Sequence, residues 1–192
     1  MDGGHRLIDR KTVFEGKVVR LYLDRVLLPN GVEAERELVR HWGAVGMVPL
    51  DQDGGIFLVR QYRHPAGKEL LEIPAGKLVE GEEPLECARR ELEEEIGYRA
   101  GSWTRLASFY TSPGFSDEVL HLFLAEELVP TQASPEADEF LEVLKVSLDE
   151  ALELVASGEI EDSKSIAGIA LACLYRRGVY RPGEGPGPSA QA

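Results

Sequence analysis

The segment from Gly76 to Gly97, which reads GKLVEGEEPLECARRELEEEIG, is the most informative part of this chain. Its second half predicts a helix from about Glu83 to Ile96, because Pro84 suits a first helical turn and Gly97 suits a helix end. The apolar residues of this segment recur at helical spacing and form one stripe: Leu85, Ala88, Leu92 and Ile96. The pattern therefore predicts a charged helix with one buried side.

Three glutamates stand beside this apolar stripe, at positions i, i+3 and i+4: Glu91, Glu94 and Glu95. At about 100° per residue, all three carboxylates project from one side of the helix. Like charges at this spacing repel one another. A hard divalent cation such as Mg²⁺ or Mn²⁺ would neutralise them through oxygen ligands. The alternative is a solvated acidic face paired with Arg89 and Arg90.

The chain on both sides of this helix is rich in strand patterns. Residues 12–40 read as strands around a Pro29-Asn30-Gly31 turn, and residues 44–50 and 55–62 read as a hairpin. A further short strand is expected at 69–73. We expect residues 1–9 to form a loose terminus.

After the central helix the pattern returns to strands and ends in helices. Strands are predicted at 102–110, 120–126 and 140–146. A second helix begins at Ser147, with Glu150 completing a capping box, and a third covers about 163–177. This order of elements predicts a mixed sheet covered by helices.

The charge balance limits the classes of partner. Lysine and arginine number 21 and aspartate and glutamate 34, so the net charge is −13. Nucleic acid and anionic membranes would repel such a chain. No apolar run approaches the roughly 18 residues that cross a bilayer. With only Cys87 and Cys173 and no signal-peptide pattern, we expect a reduced, cytoplasmic protein.

The spacing of the central stretch matches a known pattern. Gly76 is followed after five residues by Glu82 and after seven more by Arg90-Glu91-Leu92-Glu93-Glu94-Glu95-Ile96-Gly97. This spacing resembles the signature of the Nudix hydrolases. One position departs from the pattern, because Tyr98 stands where the family usually has an aliphatic residue, and this is a packing position.

The flanking segments are similar to one branch of that family, the ADP-ribose pyrophosphatases. These segments are LEIPAGKL at 71–78 and FYTSPGFSDE at 109–118, with Pro113 placed 16 residues after Gly97. The resemblance implies the Nudix fold, an α/β (α+β) architecture in which a mixed sheet forms an α/β/α sandwich. We expect a small N-terminal antiparallel β subdomain at 1–42, the Nudix domain at 43–180 and a disordered tail at 181–192.

The resemblance also implies the catalytic centre. Glu91, Glu94, Glu95 and the backbone carbonyl of Ala75 would hold Mg²⁺ or Mn²⁺. Supporting roles fall to Glu82, which would tie the preceding loop to the helix or reach a metal through water, and to Arg90, which would orient the glutamates.

In this branch a further acid, on a loop after the main sheet, acts as general base or as an additional metal ligand. The apolar strand that follows the loop favours Glu139, with Glu136 and Asp138 as alternatives. An ordinary solvated acidic loop is the remaining interpretation.

The resemblance implies a small-molecule substrate and a homodimer. The reaction would convert ADP-ribose and water to AMP and ribose 5-phosphate. Arg63 would bind phosphate, and Glu118 would accept hydrogen bonds from sugar hydroxyls. Arg36 and Arg40 would reach the partner subunit's site to hold the adenosine; the alternative is that both are surface arginines on an edge strand. The full set of predicted substrate contacts is Arg36, Arg40, Arg63, Lys77, Ser112, Pro113, Gly114 and Glu118.

Three alternatives remain open. The substrate could be another nucleoside diphosphate compound, such as a GDP-sugar, NADH or flavin adenine dinucleotide. The chain could be a Nudix-like ligand sensor without activity, although a pure binder would have no need of the intact glutamates. An acidic Ca²⁺-binding protein is disfavoured because the chain lacks the glycine-centred ligand loop.

Overall fold

The chain begins with a small antiparallel sheet. In the computed structural model, which describes residues 3–134 and 140–183, this sheet contains β1 (Arg6–Glu15), β2 (Arg20–Leu27) and β3 (Glu33–Arg40) in the order β1-β2-β3. The predicted turn between β2 and β3 is confirmed, since Gly31 has φ of 81° and its N–H donates to the Leu28 carbonyl at 2.9 Å.

The expectation of a loose terminus is wrong from Arg6 onward. Arg6 already pairs with Leu27 of β2. Every residue of β1 is exposed. Because the strand has no buried face, its sequence lacks the alternation of apolar and polar residues that predicts a strand. The extended conformation of β1 is stabilised by backbone pairing with β2.

The rest of the chain contains seven strands and three helices within the described residues. In chain order they are β4 (Ala44–Pro49), β5 (Gly55–Arg63), β6 (Lys68–Glu72), β7 (Ala75–Lys77), α1 (Pro84–Ile96), β8 (Tyr98–Tyr110), β9 (Val119–Pro130), β10 (Glu142–Ser147), α2 (Leu148–Ser157) and α3 (Ser163–Arg176). A single 3₁₀ turn, His64–Ala66, separates β5 from β6.

These strands form two sheets rather than one. A four-stranded sheet has the order β7-β4-β9-β8, and β4 and β9 are its only parallel pair. A three-stranded antiparallel sheet has the order β10-β5-β6. The expected mixed sheet is therefore present, with a separate antiparallel sheet beside it. The predicted hairpin of residues 44–50 and 55–62 is wrong, because β4 and β5 belong to different sheets. Within the described residues they are joined by an isolated bridge between Leu50 and Ile56.

Two apolar cores lie on opposite sides of β4 and β9. The core on the α1 side includes Val45, Met47, Leu92 and Phe123. The core on the side of α2 and α3 includes Val48, Leu58, Leu122 and Ile169. Because side chains alternate across a strand, consecutive residues of β4 serve opposite cores. This arrangement confirms the predicted α/β/α sandwich.

The helix boundaries agree closely with the sequence patterns. Pro84 occupies the first turn of α1, and Gly97 ends the helix with φ of 71°. A glycine is favoured there because a side chain is strained in the left-handed region. Ser147 caps α2 by accepting from the Glu150 N–H at 3.1 Å, and Asp162 caps α3 in the same way.

Two strands extend further than predicted. β8 begins at Tyr98 instead of residue 102, and β9 continues to Pro130 instead of residue 126. Gly101 and Glu127 lie in these extensions, and Glu127 has a positive φ of 56°. A Cβ on Gly101 would lie 2.6 Å from the Glu127 carboxylate, so this glycine leaves room for the irregular residue opposite it.

The remaining expectations concern the chain end and the bilayer. Residues 184–192 of the predicted tail lie outside the described residues. None of the helices found in the described ranges has the length and apolar content needed to cross a bilayer. Cys87 and Cys173 are both buried, unpaired thiols.

Candidate active site

The centre of the acidic cluster is a close approach between β7 and α1. A Cβ built on Gly76 would lie 2.0 to 2.3 Å from the side-chain atoms of Glu91. Only glycine therefore fits at this position of β7 while Glu91 keeps its place. Gly76 is in turn held by pairing with Val45 of β4, so the sheet fixes the height of the carboxylate above it.

Glu95 is attached to the same strand from the neighbouring turn of the helix. The Ala75 N–H donates to Glu95 Oε2 at 3.0 Å, and the residue is only 3% exposed. The preceding carbonyl, that of Pro74, accepts from the Met47 N–H at 2.9 Å. β7 was missing from the predicted elements because three residues are too few for a strand pattern, yet it carries two positions of the site.

Arg90 joins the acidic side chains to one another. Its Nη1 donates to Glu91 Oε1 at 2.8 Å and to Glu94 Oε2 at 3.0 Å. Its Nε and Nη2 face the two carboxylate oxygens of Glu82 at 3.3 and 3.4 Å. Glu82 also accepts from the Val79 N–H at 3.1 Å, which ties the loop before α1 to the helix.

The electrostatics of this cluster agree with its contacts. Burial opposes the charge of Arg90, but its hydrogen bond to Glu82 and the charge of Glu91 outweigh burial and raise its pKa. Burial likewise opposes ionisation of Glu82, but the Val79 N–H and Arg90 lower its pKa overall. Burial raises the pKa of the neighbouring Cys87 thiol to about 12. That thiol is therefore protonated at neutral pH and is a poor nucleophile.

The donor set suits a hard divalent cation. Three carboxylates, those of Glu82, Glu91 and Glu94, contact the Arg90 guanidinium. A fourth, that of Glu95, accepts from the Ala75 N–H on the neighbouring strand. Carboxylate and backbone carbonyl oxygens are the ligands that Mg²⁺ and Mn²⁺ prefer. Within residues 3–134 and 140–183, no three acidic, histidine or cysteine side chains already converge on one point as a metal group would.

The segment leading to the predicted catalytic loop is anchored at the end of α1. The Ser134 N–H donates to the Glu94 carbonyl at 3.0 Å, and the Thr131 N–H donates to the Gly97 carbonyl at 2.7 Å. The predicted loop acid Glu139 and its alternatives Glu136 and Asp138 lie outside the described residues. The described part of the chain therefore brings the start of this loop to the glutamate-bearing helix.

Arg63 is paired with a buried carboxylate, that of Glu72. Its Nε and Nη2 donate to the two oxygens of Glu72 at 2.9 and 2.6 Å. Glu72 is 1% exposed and also accepts from Lys164. Sequence reasoning missed both partners, although an acid directly before Ile73 in an otherwise apolar stretch was an available signal.

The predicted sugar-binding segment connects the N-terminal sheet to the main sheets. The Ser112 carbonyl accepts from the N–H groups of Phe115 and Ser116, which closes a tight turn containing Pro113 and Gly114. Val39 of β3 forms a bridge to Ser116.

The acids that follow this turn are already engaged. Glu118 Oε2 accepts from the Thr111 hydroxyl at 2.5 Å. Asp117, which sequence reasoning did not select, accepts from the His41 N–H at 2.9 Å and lies 3.5 Å from Arg40 Nε. The structure thus brings Arg40 and Glu118 to the same junction between the sheets.

Two further predicted contacts, Arg36 and Lys77, have exposed side chains. Arg36 projects from β3, where its Nη1 donates to the Glu35 carbonyl at 2.9 Å on the exposed surface. Lys77 is exposed, and its carbonyl accepts a weak contact from the Cys87 thiol at 3.5 Å.

Comparison with known proteins assigns this arrangement to a family. The NUDIX domain model matches residues 40–167, which include β4 to β10, α1, α2 and all the described acids of the cluster. The chain belongs to the Nudix hydrolase family. The helix α1 and the strand β7 are accordingly its Nudix helix and the strand preceding that helix.

Similar sequences extend beyond the Nudix domain itself. The chain is 48% identical to the ADP-ribose pyrophosphatase of Bacillus subtilis (strain 168) over 166 residues, which cover 85% of this chain and 90% of the relative. It is 44% identical to the methanol dehydrogenase activator of Bacillus methanolicus, with the same coverage of both chains. It is 39% identical to the ADP-ribose pyrophosphatase of Mycobacterium tuberculosis, covering 91% of this chain and 86% of that one.

A solved structure supports the Nudix fold independently of sequence. The structure described as an ADP compounds hydrolase superposes with a TM-score of 0.79 and covers 92% of this chain and 97% of its own. Its sequence identity is 22%, so the comparison bears on the fold alone. A superposition of this extent includes at least part of the N-terminal sheet, which spans residues 6–40.

Proposed function

We propose that this Nudix hydrolase cleaves the pyrophosphate of ADP-ribose, giving AMP and ribose 5-phosphate, with Mg²⁺ or Mn²⁺. The observation that carries the proposal is the 48% identity to an ADP-ribose pyrophosphatase across 90% of that enzyme. The acidic cluster on β7 and α1 provides the donor atoms that such a reaction needs. The methanol dehydrogenase activator is 44% identical to the chain, so the substrate is the point to be tested.

The metal would be held by Glu91, Glu94, Glu95 and the carbonyl of Ala75. When bound, such an ion neutralises phosphate charge and lowers the pKa of a water molecule. Arg90 would hold the glutamates in place between turns of the helix, as its present contacts with Glu91 and Glu94 suggest.

The remaining roles concern the water and the substrate. Glu139 would accept a proton from the attacking water. Arg63 would bind a phosphate of the pyrophosphate, which suits a guanidinium because its N–H groups match phosphate oxygens. Glu118 would accept hydrogen bonds from ribose hydroxyls, and the Ser112-Pro113-Gly114 turn and Lys77 would shape the adjoining surface.

We further propose that the working enzyme is a cytoplasmic homodimer. The N-terminal sheet leaves large apolar side chains exposed, including Leu7, Val13 and Phe14. Such side chains grouped on one small sheet are typical of surfaces that pack against another chain. In a dimer built on this sheet, Arg36 and Arg40 would contribute to the partner's substrate site.

The direct test is turnover. Purified protein with ADP-ribose and Mg²⁺ should release AMP and ribose 5-phosphate, and EDTA should stop the reaction until Mg²⁺ is restored. A panel of ADP-ribose, GDP-mannose, NADH and flavin adenine dinucleotide would identify the preferred substrate. Folded protein that cleaves none of these with Mg²⁺ or Mn²⁺ would refute the proposal and favour the ligand-sensor alternative.

The close approach of Gly76 and Glu91 makes a specific prediction. Gly76→Ala should lower kcat/KM for ADP-ribose about tenfold or more, because the new Cβ displaces the Glu91 carboxylate and small misplacements in a catalytic site are costly. The backbone tolerates alanine, since Gly76 has no positive φ, so the thermal midpoint should change little. Gly183→Ala, where a Cβ meets only open space, is the matched control. Unchanged turnover in a folded Gly76→Ala variant would show that the position of Glu91 is not critical.

The loop acid can be identified by comparing neighbours. Glu139→Gln should lower kcat about a hundredfold, which is the usual contribution of a general base, while KM stays near the wild-type value. Glu136→Gln and Asp138→Asn serve as controls on the same loop. A large loss in either control with normal kcat in Glu139→Gln would assign the role to that neighbour instead.

A further inference from the structure

Glu72 is a buried carboxylate that binds two cations from different parts of the chain. Arg63, at the end of β5, uses Nε and Nη2 to contact both carboxylate oxygens. Lys164, in the first turn of α3, donates to Oε2 of the same carboxylate. Burial opposes ionisation of Glu72, but the hydrogen bonds and charges of these two cations outweigh it and lower its pKa.

Lys164, the second cation on Glu72, changes the net charge that the Arg63–Glu72 pair presents to a ligand. An arginine paired bidentately with one carboxylate forms a neutral unit, and such a unit attracts a phosphate weakly. With Lys164 on the same carboxylate, the three groups together keep one positive charge. Lys164 also contacts Asp162 at 2.8 Å, but Asp162 caps α3, so the positive helix N-terminus offsets part of that negative charge.

Arg63 is within electrostatic reach of Glu95 in the acidic site. The negative charge of Glu95 is among the causes that raise the pKa of Arg63, after its hydrogen bond to Glu72. Its Nη1 has no hydrogen-bond partner anywhere in the described part of the chain. The guanidinium therefore has one edge anchored on Glu72 and one nitrogen available to a ligand.

The N-terminus of α3 is itself fixed to the strand that leads into the site. The Ile73 N–H donates to Ser165 Oγ at 2.8 Å, and Ser165 is fully buried. Ile73 is followed by Pro74 and Ala75, whose N–H holds Glu95. Lys164 thus reaches Glu72 from a rigid position rather than from a mobile surface.

We propose that Lys164 is a positioning residue for substrate binding, which acts by sharing the charge of Glu72 and so leaves Arg63 able to bind the pyrophosphate. This inference rests on the proposed function, in which Arg63 binds phosphate. It adds a residue outside the Nudix signature and 92 positions away from Glu72. Lys164 itself does not touch the substrate.

The test compares steady-state kinetics with direct anion binding. Lys164→Met should raise KM for ADP-ribose about tenfold with kcat within about twofold, since the loss concerns binding of ground and transition states alike. Lys164→Arg should restore KM to within about threefold of wild type because it keeps the charge. Lys164→Gln provides a second neutral variant, and thermal melts confirm that each variant is folded.

The matched control is Lys68→Met. Lys68 of β6 pairs with Glu161, just before α3, so it links the same two parts of the chain, but its pair is exposed and does not involve Glu72. Its KM should stay within about twofold of wild type, as expected for a surface pair. An equal rise in KM for Lys68→Met and Lys164→Met would show that the effect comes from a general loss of stability, and it would overturn the proposal.

A double-mutant cycle tests the route through Arg63. In an Arg63→Gln background, Lys164→Met should change KM less than about twofold, because coupled residues give non-additive effects. An additive effect would overturn the proposal. Calorimetric titration with inorganic pyrophosphate and Mg²⁺ separates this inference from the proposed function.

Failure of the proposed function and failure of the role of Lys164 give different experimental results. Lys164-dependent pyrophosphate binding without ADP-ribose turnover would refute the proposed substrate and support the role of Lys164. Turnover of ADP-ribose with the same KM and pyrophosphate affinity in wild type and Lys164→Met would support the proposed substrate and refute the role of Lys164. If the wild-type protein binds no pyrophosphate, the proposed role of Lys164 is also refuted.

Discussion

Glu95→Gln is expected to lower kcat/KM for ADP-ribose about a thousandfold, because loss of a metal-ligating carboxylate removes several kcal/mol of charge stabilisation. The fold should survive, since the glutamine carbonyl can still accept the Ala75 N–H that now donates to Glu95 Oε2 at 3.0 Å. The Mg²⁺ concentration for half-maximal rate should rise at the same time. Measuring kcat/KM over a range of Mg²⁺ concentrations, with a thermal melt, checks all three expectations.

Glu93→Gln is the control for this variant. Glu93 lies on the same helix but pairs with Arg99 at 2.8 Å, away from the acidic cluster. Its loss should leave kcat/KM within about twofold of wild type and the thermal midpoint close to the wild-type value, as for exposed ion pairs. Near-normal turnover of a folded Glu95→Gln variant would remove Glu95 from the proposed ligand set.

Glu72→Gln is expected to give the largest loss of stability among these substitutions. It removes the carboxylate that Arg63 and Lys164 share and leaves both cations facing a neutral, buried amide. Breaking a buried pair in this way costs about 3 kcal/mol at the lower end of the measured range. For a chain of this size the thermal midpoint should fall about 10 °C.

The pH dependence of Glu72→Gln provides a second measurement. The pKa of Glu72 is lowered in the folded chain, so its stabilising effect is present above the unfolded pKa and is lost as the pH falls. The gap in thermal midpoint between wild type and variant should therefore narrow below about pH 4. Glu161→Gln, which affects only the exposed pair with Lys68, should show a small gap at every pH. A pH-independent gap for Glu72→Gln would contradict the charge-based explanation.

Local patterns predicted the regular elements well where a signal falls within a few residues. Pro84 and Gly97 marked the ends of α1, and the Ser147 capping box marked the start of α2. Gly31 marked the turn between β2 and β3. Each depends on steric or hydrogen-bonding preferences between near neighbours, so the sequence alone is sufficient.

Elements without such a local signal were missed or shortened. β1 is an exposed strand stabilised by pairing with β2, and β7 has only three residues, paired with β4. In both cases the backbone partner, rather than the strand's own side chains, determines the structure. Sequence patterns record side chains, and they therefore carry little information about such strands.

Helical spacing predicted that one helix carries Glu91, Glu94 and Glu95 on the same side, and the resemblance to the Nudix signature added Gly76 to the site. The long-range contacts could not be predicted in this way: Glu91 lies over Gly76, Arg90 joins three glutamates, and Lys164 shares Glu72 with Arg63. Helical spacing is a property of consecutive residues and can be read without a fold. The partners of a buried charge are different, because they depend on which distant strand and helix exclude water around it.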